Sequence, residues 1–272
     1  MSLSCLSRVK RSNNGERPPV APFAHLVSIN VDKSGSMGSF GGAQTGQIHE
    51  TLVVLKEVAI SSDVETWVSI WTFDGQVRNP VEPFDVRSGV LPTLTELREY
   101  FYPSGMTALY DSSKACVEQL VDMKVEYIKR LPAAVRRTNP EIKATYYLLT
   151  DGEDTASMPN SRQECVLAMR AARKNHGVMD IFLGANIDAK TTAASMGFSG
   201  HAYQMAATPG SCATLMKTVT SMLRQTSQGS CDPYEPDNDN SGASSGGIPV
   251  PPLPPGLPLG IGGWLRPTLR RY

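Results

Sequence analysis

From Ala24 to Gln228, short apolar runs alternate with stretches whose apolar positions recur every three or four residues. Runs of the first kind predict strands over residues 25–31, 64–73, 144–149, 179–183 and 201–205. Stretches of the second kind predict helices over 47–61, 108–130, 162–175 and 211–225; in the first, Ile48, Leu52, Leu55, Val58 and Ala59 make the apolar face. Apolar strands separated by amphipathic helices call for an α/β fold, a doubly wound, mostly parallel sheet with helices on both faces. One run departs from this rhythm. Residues 77–86 follow 64–73 after only Asp74-Gly75-Gln76, too short a link for a parallel crossover, so the two runs should pair as an antiparallel hairpin at one sheet edge. Pro80 and Pro83 suit an edge strand, where a missing N–H costs no ladder bond.

Composition divides the 272 residues into three parts. Nine of the 20 prolines fall in the last 45 residues, together with Asp232, Glu235, Asp237, Asp239 and the Ser/Gly run 241–247. Such a stretch cannot build a core and is expected as extended, polyproline-like chain. The reading is a basic N-terminal extension (1–23, with Arg8, Lys10, Arg11 and Arg17), an α/β domain (24–228) and a Pro/Gly-rich C-terminal tail (229–272). With 26 Lys+Arg against 26 Asp+Glu the net charge is zero, which argues against a general nucleic-acid binder. The five cysteines (Cys5, Cys116, Cys165, Cys212, Cys231) are odd in number and widely spaced, which disfavours a disulfide framework or a zinc site and suits a reducing compartment. No signal-peptide h-region and no membrane-spanning run is present, so an intracellular, cytoplasmic protein or a virion component is expected.

The candidate chemistry lies where strands end. The first strand runs directly into Asp32-Lys33-Ser34-Gly35-Ser36, and in an open α/β sheet ligands bind at that carboxyl edge. Asp32, Ser34 and Ser36 recur at spacing two, so a near-extended segment would project them to one side, with Gly35 letting the chain curl. Two further strand-edge segments supply Thr107, at a helix entrance, and Asp151, after the run 144–149. Two carboxylates and three hydroxyls suit Mg²⁺, with Mn²⁺ or Ca²⁺ as alternatives, and leave the ion room for water and for one more anionic oxygen, such as a partner's Asp or Glu.

These segments resemble those of von Willebrand factor type A domains, whose metal-ion-dependent adhesion site has the form Asp-x-Ser-x-Ser, then a Thr, then an Asp. The resemblance covers about residues 24–228 and includes Phe101-Tyr-Pro-Ser-Gly-Met-Thr-Ala-Leu-Tyr-Asp-Ser112 and Asp180-Ile-Phe-Leu-Gly-Ala-Asn186. It implies a Rossmann-like fold, direct ligation by Ser34, Ser36 and Thr107, and Asp32 and Asp151 acting directly or through water. Met106 stands where a second Gly is common, which bears on loop flexibility and removes no ligand.

Other readings fit less well. A phosphatase nucleophile at Asp32 would want a second carboxylate where Ser34 stands; His25, His49, His176 and His201 lack ligand spacing; and Gly35, Gly38, Gly41 and Gly42 precede no Gly-Lys-Ser/Thr. Glu153 and Asp154 read as acidic rim residues, and Asp111 as a support for the Thr107 segment through helix N-terminal hydrogen bonds. In the tail, Pro251, Pro252, Pro254 and Pro255 resemble proline-rich ligands of WW and SH3 domains; without a basic flank they suit a spacer or assembly arm, and with Trp264 they are the tail's candidate partner-binding residues. The expectation is a non-enzymatic, metal-dependent protein-binding module. The alternative is a structural subunit of a large assembly, for example a minor capsid protein of a large virus, whose tail clamps neighbouring subunits.

Overall fold

Every residue of the first strand, β1 (Ala24–Asp32), is buried, which places it inside a sheet covered on both faces. The computed structural model describes residues 24–138, 140–159 and 161–228. Its strands β1, β2 (Glu65–Phe73), β3 (Val77–Asp85), β4 (Ile142–Thr150), β5 (Val178–Ala185) and β6 (His201–Met205) form one sheet in the order β3-β2-β1-β4-β5-β6. All neighbours are parallel except β2 and β3, which pair antiparallel, with Phe73 opposite Val77, and put β3 at the edge. The helices are α1 (Ala43–Ser61), α2 (Leu94–Tyr100), α3 (Leu109–Arg130), α4 (Ala133–Arg136), α5 (Ser161–His176), α6 (Ala189–Ser195) and α7 (Pro209–Ser227), with a 3-10 helix at Gly35–Phe40 before α1. Among the described residues no helix is long and apolar enough to cross a membrane.

The strand pleat sorts the core into two layers. Val27, Ile29 and Val31 of β1, with Tyr147 and Leu149 of β4, pack against Leu52 and Leu55 of α1 and Met216 and Leu223 of α7. Leu26, Tyr146 and Leu148 face the other way, onto Leu109, Val117 and Leu120 of α3 and Met169 of α5. Several polar side chains inside these layers are paired, as burial favours. Asn30 donates to the Tyr146 hydroxyl at 3.0 Å and accepts from Ser112 Oγ at 2.9 Å, which pins the first turns of α3 to the sheet just below the end of β1.

At the opposite end of β1, His25 lies 2.7 Å from Ser227 Oγ and 2.9 Å from Thr145 Oγ1, tying the last turn of α7 to the sheet. Burial, with the charge of Lys143 adding to it, pushes His25 down to about 3. A base whose folded pKa lies below its ordinary 6.5 stabilises the fold while neutral, and that stability is lost as pH falls from 6.5 towards 3. At about 1.4 kcal/mol per pH unit, roughly 2 kcal/mol should be gone by pH 5. In urea unfolding, His25→Gln should lose that much less than the parent on acidification; equal losses would mean His25 is not the group that titrates.

Candidate metal and partner-binding site

The strand order reverses between β1 and β4: from β1 the sheet runs outward through β2 to β3, and from β4 through β5 to β6. Loops leaving such a pair diverge and leave a crevice at the carboxyl edge. Asp32 ends β1 and Asp151 follows β4, so both carboxylates enter that crevice from its walls. Asp32 accepts from the Ser34 N–H at 2.7 Å and from Thr150 Oγ1 at 2.6 Å. Ser34 Oγ and Ser36 Oγ are 3.1 Å apart, and Ser36 Oγ donates to Asp151 at 2.7 Å. Asp32, Ser34, Ser36 and Asp151 are therefore one connected set. The chain does not stay extended through it, as the spacing suggested: after Ser34 it turns into the 3-10 helix, and Ser36 reaches Asp151 from that turn.

Thr107 is brought in by a third loop, held by its backbone. Its N–H donates to Thr155 Oγ1 at 2.9 Å, and its carbonyl accepts from the N–H groups of Thr155 and Ala156 at 2.8 and 3.1 Å. A Cβ on Gly152 would stand 3.5 Å from Thr107 Oγ1 and 4.0 Å from Ser36 Oγ, so the bare glycine keeps open a space flanked by both hydroxyls.

Electrostatics favour a cation here. Burial pushes the Asp32 carboxyl up to about 6, against the hydrogen bonds from Thr150 and Ser34, and the Asp151 charge adds to the rise. Burial also raises Asp151. Two adjacent carboxylates whose ionised forms are both disfavoured gain from a nearby positive charge. The donors are hard oxygens, and among the described residues no three of His, Cys, Asp and Glu gather as a softer metal would require. The five residues fit a hard divalent ion of the Mg²⁺ type.

A second network fixes the loops to one another. Lys33, between two of the candidate ligands, turns inward and donates to Asp74 at 2.6 Å, both side chains being about nine-tenths buried. It also donates to Ser104 Oγ at 3.3 Å, and Ser104 Oγ donates to Asp74 at 3.2 Å. Backbone bonds run alongside: Ser104 N–H to the Lys33 carbonyl at 2.7 Å, Gly35 N–H to the Gly105 carbonyl at 3.2 Å, and Ala108 N–H to the Asp74 carbonyl at 2.7 Å. Gly105 has φ +72°, a turn conformation that other residues resist. Burial would raise Asp74, but the bonds from Lys33, the Gln76 N–H and Ser104 hold its carboxyl below the ordinary range. Lys33→Met would leave that buried carboxylate without its main partner and should cost about 3–5 kcal/mol in urea unfolding. Adding Asp74→Asn should recover part of the loss, and no recovery would mean that the pair is not the strut between these loops.

The acidic residues near the site have different roles from those expected. Asp154 is not a rim charge: it accepts from the N–H groups of Leu109 and Tyr110 at 2.8 and 3.4 Å and from Ser157 Oγ at 2.5 Å, capping α3 from another loop. Asp111 does not support the Thr107 segment; it accepts from the Met158 N–H at 3.0 Å and from Ser161 Oγ, joining α3 to the start of α5. Glu153 is exposed. The basic extension 1–23 and the tail 229–272, with Pro251, Pro252, Pro254, Pro255 and Trp264, lie outside the described residues.

No protein-family model matches the chain, and no curated protein matches it. Solved structures do. The PilB minor pilin from Streptococcus sanguinis superposes with a TM-score of 0.52 at 13% identity, over 77% of this chain and 63% of the pilin. A von Willebrand factor type A protein from Catenulispora acidiphila gives 0.43 at 17% identity, over 74% and 43% of the two chains. Proximal thread matrix protein 1 from the mussel byssus, with a zinc-occupied metal-ion-dependent adhesion site, gives 0.46 at 16%, over 74% and 47%. The chain thus spans less than two thirds of the pilin's length, and what the two share at this identity is the fold: a doubly wound α/β sheet.

Proposed function

We propose that the 24–228 region is a metal-dependent protein-binding module of the von Willebrand factor type A kind, and not an enzyme. The observation that supports it most is the connected oxygen set of Asp32, Ser34, Ser36 and Asp151, with Thr107 across Gly152, at the strand-order switch. Asp32, Ser34, Ser36, Thr107 and Asp151 would hold a Mg²⁺-type ion, with Mn²⁺ or Ca²⁺ as alternatives. Bound there, the ion would supply a Lewis-acidic position for one more anionic oxygen, that of a partner's Asp or Glu. Asp32 and Asp151 bring about two negative charges and Ser34, Ser36 and Thr107 none, so this chain balances a divalent ion without repelling a partner carboxylate.

Among the described residues the three cysteines are free and buried. Burial pushes the thiol of Cys116 well up, that of Cys165 to about 12 and that of Cys212 to about 11, so none is a thiolate at neutral pH. A chain of similar fold is a minor pilin, in keeping with work done by binding.

Calorimetric titration of the full chain with MgCl₂ and MnCl₂ tests the reading. The parent should bind one ion, and Ser34→Ala combined with Ser36→Ala should weaken binding at least tenfold while thermal unfolding stays cooperative. A parent that takes up neither metal at millimolar concentration would sink the proposal.

A further inference from the structure

Three oxygens of the site already stand at the spacing of one kind of ion. Ser34 Oγ and Ser36 Oγ are 3.1 Å apart, and Ser36 Oγ lies 2.7 Å from Asp151 Oδ1. Neighbouring oxygens of an octahedral shell are separated by the square root of two times the bond length, about 2.8–3.0 Å around Mg²⁺ and about 3.3–3.7 Å for six oxygens around Ca²⁺. The two hydroxyls and the carboxylate are therefore spaced for the smaller shell. Ca²⁺ would have to push them apart or draw in further oxygens, and either change needs loops that can move.

Lys33 is where those loops are joined. Its N–H donates to the Phe73 carbonyl at 2.8 Å and its own carbonyl accepts from the Ser104 N–H at 2.7 Å, while its ammonium donates to Asp74 at 2.6 Å and to Ser104 Oγ at 3.3 Å. The Asp74 carbonyl in turn takes the Ala108 N–H at 2.7 Å, so the segment that carries Thr107 is fastened at both ends to the Lys33–Asp74 pair. Between those ends the Gly105 carbonyl accepts from the Gly35 N–H, and the Thr107 carbonyl is bonded to Thr155 and Ala156 on the loop of Asp151. Both side chains of the pair are about nine-tenths buried, which keeps water from replacing either partner, and Lys33 is flanked in the chain by Asp32 and Ser34, so neither ligand can shift without disturbing it. The ammonium bonds go to Asp74 and Ser104 and to no ligand, so Lys33 acts on the site only through the loops. Resting on the metal-dependent reading above, we infer that Lys33 is a positioning residue that sets the choice of ion: its buried bond to Asp74 keeps the loops of Ser34 and Ser36, Thr107 and Asp151 at the spacing of a small octahedral cation, and the site discriminates against Ca²⁺ because those loops cannot spread. The same oxygens on freed loops would still take a divalent ion and would lose the preference.

Calorimetric titration of the full chain with MgCl₂ and, separately, with CaCl₂ tests this through the ratio of the two dissociation constants. The parent should hold Mg²⁺ at least about tenfold more tightly than Ca²⁺. Lys33→Met/Asp74→Asn removes the ion pair without stranding a buried charge; it should bind Mg²⁺ about tenfold or more weakly than the parent, with the preference over Ca²⁺ reduced below about threefold. Leu120→Ala, in the buried face of α3 and about three turns from Thr107, should melt well below the parent and keep the parent's ratio, which separates positioning from a general loss of stability. Ser104→Ala keeps the ion pair and removes the hydroxyl that ties it to the Thr107 segment; it should lower the ratio at least about twofold and decides the matter if the double variant does not fold. A parent that does not distinguish the two ions, a double variant that keeps the parent's preference, or a core variant that loses it would each overturn the inference and leave the metal-dependent reading standing. A parent that takes up neither ion would remove that reading and the inference with it.

Discussion

In chelator, Asp32→Asn should melt about 4–8 °C above the parent, while losing measurable Mg²⁺ binding. Asp32 is fully buried, and at neutral pH its carboxyl, pushed up to about 6 by burial, is ionised at a cost the unfolded chain does not bear. A shift of about two units above the ordinary 3.8 corresponds to roughly 2–3 kcal/mol, and for a domain of about 200 residues that is several degrees. The sign follows from linkage. An acid whose folded pKa is raised binds more protons folded than unfolded, so parent stability falls as pH rises from about 4 to 6 and is then level. The amide removes that fall. It can still accept from the Ser34 N–H, and Thr150 Oγ1, which now donates to Asp32, can turn to accept from the new amide and donate to the Gly152 carbonyl, already 3.4 Å away. Saturating Mg²⁺ should raise the parent and leave the variant unmoved, so the order of melting temperatures narrows or reverses. A variant that melts lower than the parent in chelator would mean the ionised carboxylate is better solvated by the fold than its burial indicates.

Much of this architecture is legible in the chain because the sheet is buried on both faces. β1, β2, β4 and β5 are rich in apolar residues; β2 starts one residue later than predicted, while β1, β4 and β5 run a residue or two beyond their predicted ends, at Asp32 and Thr150 because the ladder continues without an apolar side chain. α1 starts at Ala43, four residues before the predicted 47, because Gly41 and Gly42 precede it and its first turn is buried through Gln44 and Thr45, polar residues that no hydrophobic period registers. α2 was missed although Thr93 and Glu96 carry a capping box that the sequence displays; its seven residues are too few for a period, and the caps were the signal to follow. α4 and α6 are shorter than two full turns and equally without one.

At the site, the oxygens that follow β1 and β4 could be grouped because strand order determines which loops converge. The supports could not. Lys33 stands between two candidate ligands in the sequence, and its partner Asp74 is 41 residues away. Asp111 occupies the third position of α3, from which a carboxylate would reach back to the Ala108 N–H, but the Asp74 carbonyl already takes that donor, so Asp111 turns outward to Met158 and Ser161. The donor left open, at Leu109, is met by Asp154 from 45 residues on. Such pairings depend on which backbone groups the tertiary fold has already used, and local spacing does not encode that.

Thr107→Asp should move metal affinity and partner affinity in opposite directions. Thr107 is 5% exposed and shares the space over Gly152 with Ser36, so an aspartate there adds a third carboxylate to Asp32 and Asp151. Without metal the extra charge should destabilise the domain; with metal it should tighten retention of the ion about tenfold or more, as added ligand charge does. Two charges about 5 Å apart at an effective dielectric of 20 repel by about 3 kcal/mol, so an incoming carboxylate should lose on the order of 100-fold in affinity. Thr107→Ala removes a neutral oxygen instead, leaves Asp32 and Asp151 in place, and should weaken a Glu-bearing heptapeptide such as Ser-Gly-Leu-Glu-Leu-Gly-Ser far less than Thr107→Asp does. Calorimetry of each variant with Mg²⁺, followed by the peptide, separates the two affinities. If Thr107→Asp holds metal more tightly and still binds the Glu peptide as the parent does, the carboxylate does not approach through the ion. The loops would then hold a structural cation, and the peptide would bind elsewhere on the chain.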